Sequence, residues 1–277
     1  MKLGLFGYPL SHSLAPRLFA KLSERTGIPL EVELFPTSSH ESIPEIMGEK
    51  GIDFASVLSP LKRGVLSHVD YVDDDARKFE AVDWLRRDGY QLTGGLCVRK
   101  AMRMFVESRA DAIRELDVVA VAGYGVAAVS AVDVLFEFGL SRFLLLAREP
   151  MRALAAASKL EELGIGVEVW PERLGELTEE LSCDLFVNAT PVGLWPKTDD
   201  LAVPPRVFKG SAYVLDLNYR PYPTRLVREA GKLGIRADTG VELFVHKSLL
   251  QAESWLDVDL SGEFGALCEF VKEEAAE

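Results

Sequence analysis

The sequence has few cysteines, with only Cys97, Cys183 and Cys268 among its 277 residues. They are odd in number, far apart and without a C-x-x-C spacing, so neither a disulfide framework nor a zinc site is expected. No apolar run approaches the roughly 20 residues of a membrane-spanning helix, and the one in MKLGLFGYPLSH is too short for a signal peptide. These features predict a reduced, cytoplasmic protein with no metal site and no membrane partner.

Positive charge is also scarce, because 31 Lys and Arg residues face 43 Asp and Glu residues, which gives a net charge of −12. This balance argues against a nucleic acid or an anionic membrane as partner, since both need clustered basic residues. A local basic pocket for an anionic small molecule remains compatible with it. The length suits two modest domains or one large domain.

Short apolar segments alternate with segments of helical periodicity, and this alternation predicts an α/β fold with parallel strands. In the first third, strands are predicted at 2–7, 30–36 and 53–60, and helices at 14–27 and 39–51. A hairpin is predicted over 81–95, with Asp88-Gly89 as its turn dipeptide.

The alternation starts again after a helix predicted over 99–116. The next strands are predicted in the segments VVAVAGYG, RFLLLA, GVEVW, CDLFVNAT and AYVLDLNY. Two further helices are predicted at 242–255 and 262–273, and no internal repeat or low-complexity linker separates the halves. The oligomeric state, monomer or homodimer, is left open.

A glycine-rich turn lies between a predicted strand and a predicted helix in VVAVAGYGVAAVSAV. Gly123 and Gly125, followed by Val126, Ala127 and Ala128, fit the G-x-G-x-x-A form of the dinucleotide fingerprint. Its first glycine makes the tight turn, its second lets the backbone approach a pyrophosphate, and the helix N-terminus attracts the phosphates. The turn therefore predicts dinucleotide binding; the alternative is a purely structural tight turn.

The residues that follow the next strand bear on which dinucleotide is bound. The segment LLLAREP places Arg148 and Glu149 there. An arginine favours the 2′-phosphate of NADP, whereas an acidic residue repels it or accepts the 2′-hydroxyl of NAD. NADP is slightly favoured, NAD is possible, and a solvated surface pair is the structural alternative.

The loop GYPLSHSLAP, at 7–16, resembles the N-terminal motif of the shikimate dehydrogenase family, whose serines hold the substrate carboxylate. The segment SVLSPLK is similar to the motif that carries the family's catalytic lysine, and it places Lys62 in that role. Five more segments match in the same order: FEAVDWL, AGYGVAA, VNATPVGL, LDLNYRPYPTRLVREA and TGVELFVHKSLLQAESW. The resemblance covers nearly the whole chain.

This resemblance implies a two-domain α/β fold, with a substrate domain at 1–97 completed by C-terminal helices at 239–277, and a Rossmann-like NAD(P) domain at 98–238. It implies reversible hydride transfer between NADP and a cyclic hydroxy or keto acid, with Lys62 as general acid and base. The substrate would be shikimate or 3-dehydroshikimate, or a related compound, and the pathway would be aromatic amino acid biosynthesis. The substrate-binding residues that it implies are Ser11, Ser13, Ser56, Asp83, Tyr219 and Lys247. Its additional cofactor-binding residues are Asn188, Thr190 and Gly240.

The substrate site departs from the family pattern. The aspartate that partners the lysine in the family is replaced by Val98. Further departures are Ala15, Ser56, Leu58, Asp83, Trp84, Leu96, Cys97, Arg99 and Lys247. Several of these changes remove a polar partner of a ring hydroxyl, so shikimate is expected to bind poorly. Lys62 then depends on another acid for its orientation, for which Asp83 is the candidate.

Structural alternatives accompany these assignments. Ser13 is also suited to capping the first helix, Lys62 and Lys247 to a solvated surface, and Tyr219 to the core. Asn188 is expected to bond to the backbone, and His12 and His246 are interpreted as structural. The functional alternative is a nucleotide-binding or metabolite-binding relative with little dehydrogenase activity.

Overall fold

The computed structural model describes residues 1–11, 13–170, 172–177 and 180–276, so the interpretation of His12 lies outside the described residues. The chain divides into two compact units. The first comprises Met1–Lys100 and Val245–Val271, and the second comprises Ala101–Phe244 and Lys272–Glu277. In the described ranges, no helix combines the length and the apolar character that crossing a bilayer requires.

The first unit contains a six-stranded sheet in the order β2-β1-β3-β5-β6-β4. Its strands are β1 (Lys2–Gly7), β2 (Glu31–Pro36), β3 (Phe54–Val57), β4 (Tyr71–Val72), β5 (Trp84–Asp88) and β6 (Gln91–Gly95). The helices of this part of the chain are α1 (Ala15–Thr26), α2 (Ile43–Lys50), α3 (Asp74–Phe79) and α4 (Cys97–Glu107), of which α4 continues into the second unit.

This first sheet is mixed. Strands β1, β2 and β3 are parallel, as the β-α-β-α-β alternation predicts, whereas β5 runs antiparallel to β3 and forms a hairpin with β6. Asp88 pairs with Gln91, so the two turn residues are Gly89 and Tyr90 rather than the predicted Asp88-Gly89. Gly89 takes a φ of +65°, a conformation that glycine adopts without steric cost. The very short β4 was not predicted.

The second unit contains a parallel sheet in the order β12-β11-β10-β7-β8-β9. Its strands are β7 (Val118–Ala122), β8 (Arg142–Leu146), β9 (Glu168–Val169), β10 (Leu185–Asn188), β11 (Tyr213–Asp216) and β12 (Arg236–Thr239). Its helices are α5 (Ala110–Ile113), α6 (Val126–Glu137), α7 (Pro150–Glu162) and α8 (Arg225–Lys232), and the chain ends with α9 (Val241–Leu256) and α10 (Phe264–Ala276).

The strand order of the second sheet reverses between β7 and β10. The chain builds β8 and β9 on one side of β7, and it then returns to build β10, β11 and β12 on the other side. This is the order of a Rossmann-like fold, in which ligands bind beyond the carboxyl ends of the strands at the reversal point. The predicted α/β fold class is therefore confirmed, although α8 and β12 were missed.

The helix predicted over 99–116 is interrupted. Helix α4 ends at Glu107, and α5 begins at Ala110. Arg109 lies between them, and its buried guanidinium forms ion pairs with Asp238 at 2.9 Å and Glu242 at 2.8 Å. Sequence periodicity does not register this break, because the partners of Arg109 are more than 120 residues away in the chain.

Candidate active site

The loop after β3 brings Lys62 beside Asp83. Lys62 Nζ lies 3.8 Å from Asp83 Oδ2; the aspartate side chain is fully buried, and that of the lysine is 18% exposed. Two backbone hydrogen bonds hold the segments of Lys62 and Asp83 beside their neighbours. Val82 N donates to Lys62 O at 2.8 Å, and Val57 N donates to Asp83 O at 2.9 Å. Lys62 is thus part of a partly buried ion pair and not a solvated surface residue.

The carboxylate of Asp83 also accepts two hydrogen bonds from the N-terminus of α4. Cys97 N donates to Oδ1 at 2.8 Å, and Val98 N donates to Oδ2 at 3.0 Å. The positive end of the helix and these charge-assisted bonds stabilise the ionised carboxylate. Val98 thus provides a backbone donor in place of the family's carboxylate, and Asp83 provides the acid that faces Lys62.

Gln251 anchors α9 to this pair and was not selected from the sequence. Its fully buried amide donates from Nε2 to Asp83 O at 2.6 Å and accepts from Ser56 Oγ at 3.1 Å. The hydroxyl hydrogen of Ser56 is therefore bonded within the protein, whereas the resemblance implies that Ser56 binds the substrate. The available signal for Gln251 was a polar residue one helical turn after Lys247.

Lys247 is partly buried, which argues against its interpretation as a surface residue. Burial first, and then the positive charge of Lys62, lower the pKa of its ammonium group to about 8. Asp83 and Cys97 act in the opposite direction on this pKa. Burial in turn raises the pKa of the Cys97 thiol well above its usual value, so this cysteine is neutral and not a nucleophile.

The opening loop places Ser11 on the surface and Ser13 in a half-buried position. Ser13 Oγ accepts a hydrogen bond from Ala15 N at 3.2 Å, while Leu14 occupies the position preceding α1. Ser13 therefore bonds the backbone at the start of α1, but it is not the N-cap that its structural alternative predicts, because Leu14 holds that position and no side chain caps the helix. His246, also in the first unit, stacks on Phe264 with ring centroids 4.0 Å apart.

In the second unit, the two glycines of the turn after β7 have different surroundings. Gly123 has a φ of +125°, and a Cβ there would lie 3.0 Å from Ala189 O, so the turn needs glycine for its own shape. Gly125 caps the N-terminus of α6, and nothing lies within 4 Å of the position a Cβ would take. The space in front of the helix is open, and Val126 and Ala127 are partly exposed in its first turn. These residues fit the pyrophosphate of a dinucleotide.

Arg148 and Glu149 are both exposed at the end of β8. Glu149 is paired with Arg152, one turn into α7, at 2.8 Å. Sequence reasoning missed Arg152, although its i, i+3 spacing from Glu149 was a signal. The pairing compensates the charge of Glu149. The segment after β8 therefore carries two positive charges, from Arg148 and Arg152, and one negative charge, from Glu149.

The loop that follows β10 is organised by Asn188. Its Nδ2 donates to Asp216 Oδ1 at 2.9 Å and to Val192 O at 3.2 Å, and its Oδ1 accepts from both N and Oγ1 of Thr190. These four bonds use the full capacity of an asparagine side chain. The side chain of Asn188 therefore shapes the loop, as expected for backbone bonding, and has no group left for a cofactor. Burial raises the pKa of Asp216 to about 6.

Gly240 and Tyr219 also belong to the second unit. A Cβ at Gly240 would lie 2.1 Å from Leu217 O, so only glycine fits between the end of β12 and the start of α9. Tyr219 is partly buried, and its ring stacks on Phe244 with centroids 4.1 Å apart.

The chain is similar to known proteins along nearly its whole length. Residues 5–85 match the family model described as the shikimate dehydrogenase substrate binding domain. The NADP(+)-type shikimate dehydrogenase of Rubrobacter xylanophilus is 32% identical over 265 residues, which cover 92% of this chain and 90% of that protein.

Two solved structures share the fold over nearly the whole chain. Shikimate 5-dehydrogenase from Thermus thermophilus, in complex with NADP(H) and shikimate, superposes with a TM-score of 0.78 at 26% identity, over 98% of this chain and 99% of that chain. Quinate dehydrogenase from Corynebacterium glutamicum, in complex with NAD, superposes with a TM-score of 0.80 at 20% identity, over 97% of each chain.

Proposed function

The chain belongs to the shikimate dehydrogenase family, and on that premise we propose that it is an NADP-preferring dehydrogenase of a cyclic hydroxy acid, with Lys62 and Asp83 as its acid–base pair. The bound dinucleotide supplies the chemistry of hydride transfer. Lys62 takes the proton of the substrate hydroxyl during oxidation and returns it during reduction. The Asp83 carboxylate orients the lysine and balances the charge of its protonated form.

The observation that carries this proposal is the 3.8 Å separation of Lys62 Nζ and Asp83 Oδ2. A general base needs a partner that fixes its direction and compensates its charge. The carboxylate is available for this purpose because two backbone N–H groups of α4 and the amide of Gln251 hold Asp83 in place.

The proposed substrate is a cyclic hydroxy or keto acid with fewer ring hydroxyls than shikimate. Leu58, Val98 and Ala15 present hydrocarbon where the family resemblance places hydrogen-bonding side chains. Ser56 donates its hydroxyl hydrogen to Gln251 and not to a ligand. A ring hydroxyl buried against hydrocarbon loses its bonds to water without replacement, at a cost of about 1–3 kcal/mol for each group.

The proposed cofactor preference rests on the charges after β8. Arg148 is exposed, and Arg152 lies beside Glu149. Two guanidinium groups suit the 2′-phosphate of NADP, since arginine pairs with phosphate through parallel hydrogen bonds. The Rubrobacter relative is named as NADP(+)-type, and the Corynebacterium neighbour was solved with NAD.

The test is an assay of cyclic hydroxy and keto acids, followed at the absorbance band of reduced nicotinamide with each cofactor. We expect turnover with NADP on at least one acid poorer in hydroxyls and very weak oxidation of shikimate. Leu58→Thr should raise kcat/KM for shikimate about tenfold, the value of one restored hydrogen bond. The matched control is Leu34→Thr on the exposed face of β2. Wild-type turnover of shikimate at about 1–10³ per second, the ordinary range of enzymes, would contradict the altered specificity.

A binding relative without dehydrogenase activity is the second candidate, favoured by the loss of polar side chains around Lys62. It predicts tight NADP binding with no turnover on any acid of the panel. The same experiment, with cofactor binding measured by fluorescence, separates the two functions.

A further inference from the structure

Two histidines that the proposed reaction does not use face each other in the first unit. His40 lies in the loop between β2 and α2, and His68 ends a short 3₁₀ turn, Gly64–His68, that follows the loop of Lys62. His40 Nδ1 lies 3.1 Å from His68 Nε2, and the two ring centroids are 5.3 Å apart. Sequence spacing does not reveal this pair, because 28 positions separate its members.

Gly64 leaves the space that the ring of His40 occupies. A Cβ at Gly64 would lie 2.6 Å from His40 Cγ and 2.7 Å from its Nε2, so a larger residue would displace the imidazole. Both histidines are half-buried, which restricts their rings by packing and still leaves them partly open to solvent. The two nitrogens are therefore brought together by the fold rather than by free rotation of surface side chains.

The contact between the rings holds a single proton. A neutral imidazole carries one N–H donor and one nitrogen acceptor, so one ring donates and the other accepts. If the donor ring moves its proton to its other nitrogen, it stays neutral and no proton leaves the protein. His40 Nδ1 and His68 Nε2 then both present lone pairs to the space between the rings, which is the arrangement that a shared metal ion needs.

We propose that His40 and His68 bind a divalent transition-metal ion, Zn²⁺ or an ion of similar chemistry, through His40 Nδ1 and His68 Nε2. Two nitrogens that bind one tetrahedral zinc ion at about 2.0–2.1 Å lie roughly 3.3 Å from each other. The observed 3.1 Å is within a few tenths of an ångström of that separation. Imidazole nitrogen suits zinc, copper and nickel, whereas magnesium and calcium prefer oxygen.

Water completes the coordination of this ion. Among the residues that the structure describes, no group of three or more His, Cys, Asp or Glu side chains is arranged to hold a metal. The site is therefore a two-histidine site with exchangeable positions, unlike a closed structural zinc site with four protein ligands. It does not depend on the proposed dehydrogenase function, since neither histidine belongs to the acid–base pair or to the glycine turn.

A bound ion would join the loop after β2 to the segment that follows Lys62. The 3₁₀ turn is continuous with that loop, because Val65 N donates a hydrogen bond to Leu61 O at 3.0 Å. An ion held by both histidines restrains the two segments relative to each other. It also stabilises the folded chain, because the unfolded chain does not keep the two nitrogens together.

The test is calorimetric titration of the full chain with Zn²⁺ at pH 7.5, together with thermal melting with and without the ion. We expect binding that raises Tm, and His40→Gln or His68→Gln should each weaken it about tenfold or more. The matched control is His246→Gln, which removes a histidine that stacks on Phe264 and should leave the affinity unchanged. The three cysteines are buried and do not compete for the ion.

A second variant tests the arrangement without removing a ligand. Gly64→Ala keeps both imidazoles and displaces the ring of His40, so it should weaken Zn²⁺ binding as His40→Gln does. Gly48→Ala in α2, where nothing lies within 4 Å of the new Cβ, should bind like the wild type. Circular dichroism checks that each variant is folded, and the two glutamine variants decide if Gly64→Ala is not. Equal Zn²⁺ affinity in the wild type and both glutamine variants, or full affinity in folded Gly64→Ala, would overturn the proposal and leave the pair as a hydrogen bond only.

Discussion

The ammonium of Lys62 faces the carboxylate of Asp83, and a backbone hydrogen bond joins Lys62 to the residue that precedes the aspartate. The side chains approach to 3.8 Å between Nζ and Oδ2, and Lys62 O accepts a hydrogen bond from Val82, the residue before the aspartate. The second link holds the first in register, because a shift of the loop that carries Lys62 would break a backbone hydrogen bond. The backbone bond thus supports the geometry that the proposed acid–base role of the pair requires.

The first prediction concerns this carboxylate. Asp83→Asn keeps the shape of the side chain and removes the charge that faces Lys62. We expect kcat to fall by about 10²–10⁴, the size of an acid–base contribution, in an assay of the best acid of the panel with NADP. Val98→Asp, added to Asp83→Asn, restores a carboxylate at the family's position and should recover part of the activity. Equal activity of the wild type and Asp83→Asn would exclude Asp83 as the partner of Lys62.

The second prediction concerns the glycine turn. Gly125→Val should abolish dinucleotide binding while the protein stays folded, because a side chain there enters the open space in front of α6 and its Cβ has no protein atom within 4 Å. Gly123→Val should instead destabilise the fold, since its φ of +125° and the nearby Ala189 carbonyl exclude a side chain. Fluorescence titration with NADPH and thermal melting measure the two effects. An unchanged affinity in Gly125→Val would mean that the turn is only structural.

The third prediction concerns cofactor choice. Glu149→Thr removes the acidic partner of Arg152 and leaves both arginines for a 2′-phosphate. NADP affinity should rise and NAD affinity should stay the same or fall, as measured by titration of both cofactors. Arg152→Ala should lower NADP affinity selectively. If the wild type binds NAD roughly tenfold more tightly than NADP, a difference of about 1.4 kcal/mol, Glu149 has the ribose-binding role instead.

The fourth prediction concerns the stability of the second unit as a function of pH. Burial raises the pKa of Asp216 to about 6, above its usual value of 3.8. A raised pKa in the folded state means that the contribution to stability is complete below about pH 4 and is lost as the pH rises through 6. Asp216→Asn cannot ionise, so the wild type should lose about 2 kcal/mol relative to this variant between pH 4 and pH 7. Urea unfolding of both proteins at the two pH values measures it, and a constant difference would contradict the assignment.

Much of the fold was accessible from the sequence. Short apolar runs located β1, β7 and β8, the first two of them ending in glycine, because a strand buried on both faces needs uninterrupted apolar residues. Elements whose stability comes from distant partners were missed, among them β4 and β12. The break at Arg109 was missed for the same reason, since its ion-pair partners lie on β12 and α9.

The sequence by itself determined the residue types of the candidate site: a lysine after β3, glycines at a strand–helix junction, and apolar side chains in place of polar ones. Which of these residues are engaged with one another was decided by the tertiary structure. Asp83 faces Lys62, and Ser56 on β3 is occupied by Gln251 of α9, which also bonds to the backbone of Asp83. Hydrogen bonds and charge interactions act over a few ångströms, and chain folding brings together residues that are up to 195 positions apart in the sequence.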